Sequence, residues 1–451
     1  MDPFDAMSPR KVLEHVSTLL GCSQTSNEIA TYLDNHDELK HLREPFLLPK
    51  VAELPPSDLT LVDGTKECIY FVGNSLGLQP KMAKKYIDEE GVHGHVQGSR
   101  PWAWAENNIE ELMANVVGAK AEEVASMNGL TVHLHILLLS FYKPTAKCPK
   151  ILLEDKAFPS DHVNALIQSD LQIDPKQRRG GAEDILDTIE KEGDSIAVVL
   201  FSGVQCYTEQ LFDMAAITKA GQKKGCYVGF DCAHAVGNAE LKLHDWGSGL
   251  CLLYVNSGAG GLAGAFIHEK NTHTVKPLLT GWWGHNLKTR FRMDNEIDLL
   301  PGVSGFRLSN QPILLVCPRQ ASLEVTGTIL VFHIYFIYMA ALRKKSRLLM
   351  GYLECLIQHY YNKDESQPYK PYVHIITPSH PEERGCQLSL SFSVPIAAVF
   401  QELEKRGVAC DMREPNILRI APVPLYNSFS DVHRFITVLG SALAASKELQ
   451  Q

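Results

Sequence analysis

Two rhythms of apolar positions run along the chain. Residues 124–127, 150–153, 195–201 and 226–230 are short runs that are largely apolar without alternation, the pattern of strands covered on both faces. Between them, residues 110–121 and 215–224 place apolar side chains at helical spacing. A turn at 128–131 opens a long apolar helix through residue 139. Strand alternating with helix at this spacing predicts an α/β fold with a doubly wound, mostly parallel sheet. Upstream, residues 69–72 read as a strand, 73–78 as a glycine-bearing turn and 80–90 as a helix. Downstream, strands are expected at 373–376, 387–392 and around 418–421. A chain of 451 residues exceeds one compact core. The expected layout is an N-terminal arm at 1–65, a large domain at 66–310 and a smaller α+β domain at 311–451.

Ligands of open α/β sheets bind beyond the carboxyl ends of the strands, so the residues at those ends carry the candidate chemistry. Asp231 follows the run 226–230 and His234 lies three residues on; Ser202 follows 195–201. A buried carboxylate needs a cationic or hydrogen-bonding partner. For Asp231 that partner is either the protonated ring nitrogen of pyridoxal phosphate or the start of the next helix, and both readings stand. Leu130 and Thr131 open the long helix, where backbone N–H groups attract phosphate, although an ordinary cap uses the same residues. His93 and His95 lie two apart with no third ligand at suitable spacing, so no metal is expected.

Composition narrows the function classes. A net charge of −9 without a basic block argues against nucleic acid. The eleven cysteines are scattered and form no CxxC pair, which fits a reduced, cytoplasmic protein. The N-terminus shows no apolar leader, so none is expected. Residues 329–342 are apolar almost all round, yet fall short of the roughly twenty residues a bilayer span requires. No membrane association is expected.

Several long stretches resemble one family: GNSLGLQP (73–80), KAFPSDH (156–162), FDCAHAVGN (230–238), HDWG (244–247), NSGAGGLAGAFIHEK (256–270), GWWGH (281–285) and PGVSGFRLSN (301–310). They are similar to kynureninases, pyridoxal-phosphate hydrolases of fold-type I, the PLP-dependent transferase-like fold. The resemblance implies the cofactor pyridoxal 5′-phosphate and hydrolysis of L-kynurenine to anthranilate and L-alanine, with 3-hydroxykynurenine as the related substrate. The reaction belongs to tryptophan catabolism and NAD biosynthesis. By the same resemblance Leu130, Thr131, Phe158, Pro159, Ser160, Asp161, Ser202, Asp231, His234, Tyr254, Trp282 and Asn310 meet the cofactor. Trp282 and Asn310 do so from a neighbouring subunit, which implies a homodimer. Ser75, His95 and Arg419 meet the substrate. Arg419 lies in an apolar strand and grips the substrate α-carboxylate by resemblance; a salt bridge to Asp411 is the alternative.

The chain departs from the pattern in one segment. The family carries a Schiff-base lysine just before the glycine-rich run, and counting back from Asn256 puts Leu253 there. No replacement lysine is found, and the text around this point and at two earlier places is shorter than the family's. Three readings follow: an active hydrolase; an impaired form that binds cofactor noncovalently or pairs with an active subunit; or a desulfurase, the weakest because no cysteine sits in a suitable loop.

Overall fold

The computed structural model describes residues 7–74, 77–93, 101–168, 182–254, 258, 260–293, 295–327 and 335–448. The chain divides into two compact units. The larger comprises Gln79–Cys206 and Leu211–Tyr335; the smaller comprises Met1–Leu78, Tyr207–Gln210 and Phe336–Gln451.

The larger unit is built on six strands: β1 (Val124–Ser126), β2 (Lys150–Leu152), β3 (Ile196–Ser202), β4 (Tyr227–Asp231), β5 (Leu250–Leu253) and β6 (Gly264–Ile267). Their order is β1-β6-β5-β4-β3-β2. Strands β2 to β5 are parallel, and β6 runs antiparallel to both its neighbours. The central strands are apolar throughout because both faces are covered. Val199, Phe201, Val228, Phe230, Cys251 and Leu253 enter one cluster with helices Asn107–Val117 and Met214–Lys223. Val198, Leu200, Leu250 and Leu252 enter the other, with helix Leu130–Phe141. Side chains thus alternate between faces along each strand. The crossover helix Met214–Lys223 begins where the Asp213 side chain accepts from the Ala216 amide at 2.9 Å. β3 and β4 end one residue later than their apolar runs, so Ser202 and Asp231 are ladder residues paired in register.

The smaller unit carries an antiparallel sheet of β7 (Val373–Ile375), β8 (Leu388–Phe392), β9 (Asp411–Arg413) and β10 (Ile417–Ile420) in the order β9-β10-β8-β7. A separate parallel pair joins Ile69–Tyr70 to Val408–Ala409.

These boundaries differ from those expected from sequence, for packing reasons. Val12, Leu13, Val16, Ile29 and Leu33 of the N-terminal helices are buried with Leu349, Leu353, Phe435 and Leu439, so the arm is part of the smaller unit's core. Helix Ile313–Gly327 buries Cys317 and Ala321 against Ala83 and Tyr86 and therefore stays with the larger unit. Among the described residues no helix is long and apolar enough to cross a membrane; residues 328–334 of the apolar stretch lie outside them.

Candidate active site

Three neighbouring strands deliver polar groups to one edge of the larger unit's sheet. Ser202 closes β3, Asp231 closes β4, and Glu154 lies two residues beyond β2. The Ser202 amide donates to both Glu154 carboxylate oxygens at 3.1 and 3.2 Å, and its hydroxyl donates to the same group. Asp161 stands in the first turn of helix Pro159–Gln168, whose start is fixed by its amide donating to the Phe158 carbonyl at 2.9 Å. Its carboxyl lies against that of Asp231. Apart from the Asp231 carboxyl, no donor among the described residues reaches either Asp161 oxygen. Asp231 accepts from the Ala233 amide at 2.8 Å, and His234 faces it as the favourable charge.

Three carboxyls enclosed this closely cannot all ionise. Burial raises the proton affinity of Asp161 well above the ordinary carboxylate range, and the negative charges of Asp231 and Glu154 add to it. Asp231 is also raised by burial, with the Ala233 amide and His234 opposing. Glu154 is half-buried as a residue, but its carboxyl end is enclosed; burial pushes it up to about 7 against the pull of the Ser202 hydrogen bonds. Sequence reasoning passed over Glu154, although an acid just beyond an apolar strand is the same signal that singled out Asp231.

The other expected cofactor residues border this cluster or stand apart. Helix Leu130–Phe141 starts at Gly129 without any side-chain cap, which leaves the Leu130 and Thr131 amides at an open N-terminus. Phe158 exposes 41% of its surface beside Pro159, and the Ser160 hydroxyl is buried without a partner among the described residues. Tyr254 is half-buried and its hydroxyl donates to the Gly258 carbonyl and accepts from the Gly261 amide. Trp282 and Asn310 are exposed; among the described residues Trp282 meets Trp283, Phe291 and the Arg290 guanidinium, and Asn310 meets Ser309.

Pyridoxal 5′-phosphate can be tested against this geometry. An open helix N-terminus suits its phosphate, the exposed Phe158 ring suits its flat face, and an enclosed cluster of carboxyls suits a ring N–H. The residues present fit those three demands. None of the expected cofactor residues carries an amine to hold the aldehyde. Leu253 is fully buried; it belongs to the face of Val228, Phe230 and Cys251, whereas Asp231 pairs with Leu252 and shares the opposite face with it. A side chain built at Gly264 would meet Leu253 Cβ at 3.4 Å and Arg319 Nη2 at 2.8 Å. The guanidinium of Arg319 is therefore already beside Leu253.

In the smaller unit Arg419 on β10 lies directly across from Asp411 on β9, and its Nε donates to Asp411 Oδ2 at 2.5 Å. Ser75 and His95 lie outside the described residues. Elsewhere in the larger unit, His244 Nδ1 stands 3.0 Å from both oxygens of buried Glu123, and the His268 ring stacks on His244 at 5.0 Å. His268 accepts from the Lys270 amide and donates to the His244 carbonyl, both at 3.1 Å, so both its nitrogens are engaged. This group ties the loop after β6 to the start of β1.

Solved structures with the same fold include a cysteine desulfurase of Thermococcus onnurineus NA1, at a TM-score of 0.67 and 18% identity over 88% of this chain and 98% of that one. Another is the cysteine desulfurase CsdA of Escherichia coli, at 0.65 and 13% over 84% and 95%. The sheet, its crossovers and the acids at its strand ends define a fold-type I pyridoxal-phosphate enzyme fold. Residues 342–439 match the kynureninase C-terminal domain. A human protein named kynureninase is 55% identical, covering 99% of both chains; relatives of the same name from Nematostella vectensis and Flavobacterium psychrophilum are 45% and 41% identical over 97% and 92% of this chain and 98% of theirs. The chain belongs to the kynureninase family. The human alignment spans 472 positions against a chain of 451 residues, so that relative carries segments absent here.

Proposed function

We propose that this chain is a pyridoxal-phosphate hydrolase that cleaves L-kynurenine, with one water, into anthranilate and L-alanine, and 3-hydroxykynurenine into 3-hydroxyanthranilate and L-alanine. The observation that carries the reading is 55% identity along 99% of the chain, joined to a buried acid at the strand end where a ring cation must be held. When bound, the cofactor supplies an electron sink for breaking the bond between Cβ and Cγ. Asp231 keeps the ring nitrogen protonated. The Leu130 and Thr131 amides hold the phosphate, and Phe158 stacks on the ring beside Pro159, Ser160 and Asp161. Ser202, His234 and Tyr254 complete the cofactor's contacts. Arg419 presents a planar fork to the substrate α-carboxylate, and Ser75 and His95 meet the rest of the substrate. No proton transfer is assigned to Leu253.

Trp282 and Asn310 reach the site from a second copy in this reading. Its support is an exposed apolar segment carrying Leu278, Leu287, Phe291, Met293 and Ile297, the surface that a homodimer would cover. All eleven cysteines are unbridged, which supports work in the reducing cytoplasm.

The test is anthranilate fluorescence after mixing cofactor-loaded protein with kynurenine, followed by borohydride reduction and peptide mass mapping. The expected result is turnover above that of free cofactor, with no cofactor adduct on any peptide. Loss of a positioned acid–base amine places the rate ~10²–10⁴-fold below that of a lysine-bearing relative. Anthranilate no faster than with cofactor alone would overturn the assignment.

A further inference from the structure

Glu154 is the one member of the carboxyl cluster to which the cofactor reading gives no task. It does not cap a helix and no cation faces it among its interactions: its neighbours are the Ser202 amide and hydroxyl on β3, the Asp231 charge at the end of β4, and through Asp231 the Asp161 carboxyl of helix Pro159–Gln168 and the ring of His234. Its loop is held where the Gln205 side chain donates to the Lys156 carbonyl at 2.9 Å. Two acids in contact already share a proton. A third enclosed acid, with only a serine to stabilise its charge, makes the cluster hold that proton more tightly.

We propose that Glu154 is a proton-holding member of the cofactor site. With Asp161 and Asp231 it carries a shared proton before the ring arrives, releases that proton to solvent when the cationic ring settles on Asp231, and so sets the pH below which cofactor is lost. The inference rests on the cofactor reading given above. The balance is simple: the ring brings its own N–H, the cluster ionises beneath it, and one proton leaves to water. Below the cluster's titration range an incoming ring must displace a proton, so affinity falls as pH falls. Above that range the acids are already ionised, and the dependence on them vanishes.

The probe is pyridoxine 5′-phosphate, which has the cofactor's ring and phosphate but no aldehyde and therefore forms no imine with surface amines. Its affinity for the cofactor-free protein is measured by equilibrium dialysis across pH at fixed ionic strength. Proton release is measured by calorimetry in two buffers of different ionisation enthalpy. Wild-type affinity is expected to rise about tenfold per pH unit up to a midpoint and then to level, with protons released on binding. Glu154→Gln removes one of the mutually repelling acids, so its midpoint moves down by about one pH unit and its proton release shrinks. Ser202→Ala removes the hydroxyl that favours the charged form of Glu154, so its midpoint moves up. The probe's own ionisations are common to all three proteins and cancel in the comparison. Equal midpoints in the three proteins, or binding without proton release because the ring takes its proton from the cluster, would overturn the inference while leaving the cofactor reading intact. Failure of the wild type to bind the probe at any pH would overturn the cofactor reading itself.

Discussion

Two groups of buried charge, one in each unit, are arranged in opposite ways. In the smaller unit two enclosed cations each meet an acid: Lys345 bonds to Asp37 at 2.7 Å with both side chains 7% exposed, and Arg384 meets Glu354 at 2.7 Å. In the larger unit Glu154, Asp161 and Asp231 share one enclosed place, and the opposing influences there are hydrogen bonds and His234. The paired acids do structural work, and removing either partner exposes the other to a medium that cannot solvate it. The clustered acids weaken the fold by repelling one another, which makes sense only where something positive is to be received.

Four substitutions sharpen that contrast. The largest effect is expected at Leu253→Lys, which puts a lysine at the position where the resemblance implies one. An amine there enters an apolar cluster beside the buried Arg319, on the face of the sheet away from Asp231. It is expected to destabilise the fold strongly, since a buried amine there must either lose its proton or stay charged without a partner, and to give no borohydride-trapped cofactor. Denaturant melts and peptide mapping check both, and a stable variant with the cofactor bonded at residue 253 would contradict the register described here. Next, Lys345→Met leaves Asp37 enclosed alone and is expected to lose about 3–5 kcal/mol, whereas Asp161→Asn relieves repulsion and leaves the melting temperature of cofactor-free protein unchanged or raised. Equal losses in the two variants would erase the distinction between the units. The smallest effect on the fold belongs to Arg419→Ala, because its partner Asp411 keeps a side-chain exposure of 27% and can turn to water. Its effect should fall instead on the amino acid, weakening kynurenine binding by about 2–5 kcal/mol. Unchanged affinity in a binding titration would make the pair with Asp411 its whole role.

The apolar runs made the parallel sheet legible, and the acid after the run 226–230 pointed to the strand end that the structure builds into its cluster. Glu154 carried the same signal and was missed because single strands were read one at a time; which tips are neighbours depends on strand order, and that is a tertiary fact. The direction of Leu253 was illegible for a related reason. Its face follows from its register with Gly264 and from Leu252 pairing with Asp231, and counting along a motif gives position without register. The pair of Arg419 with Asp411 is legible as an alternative because a guanidinium in an apolar strand needs a carboxylate partner; that the two lie directly across a ladder is a matter of register. Which core receives the N-terminal arm is not legible, because helical periodicity reveals an apolar face but not its partner.

Strand β2 is only three residues long, half-buried, lies at the sheet's edge and shifts register between Lys150 and Ile151. Short edge strands fray most readily in a parallel sheet, and Glu154 hangs just beyond this one. Each opening of the edge would carry that carboxyl out of its enclosure and into water. The cluster's ionisation and the breathing of the sheet margin are thereby one equilibrium, and a ring seated on Asp231 should slow amide hydrogen exchange at Ile151 and Leu152.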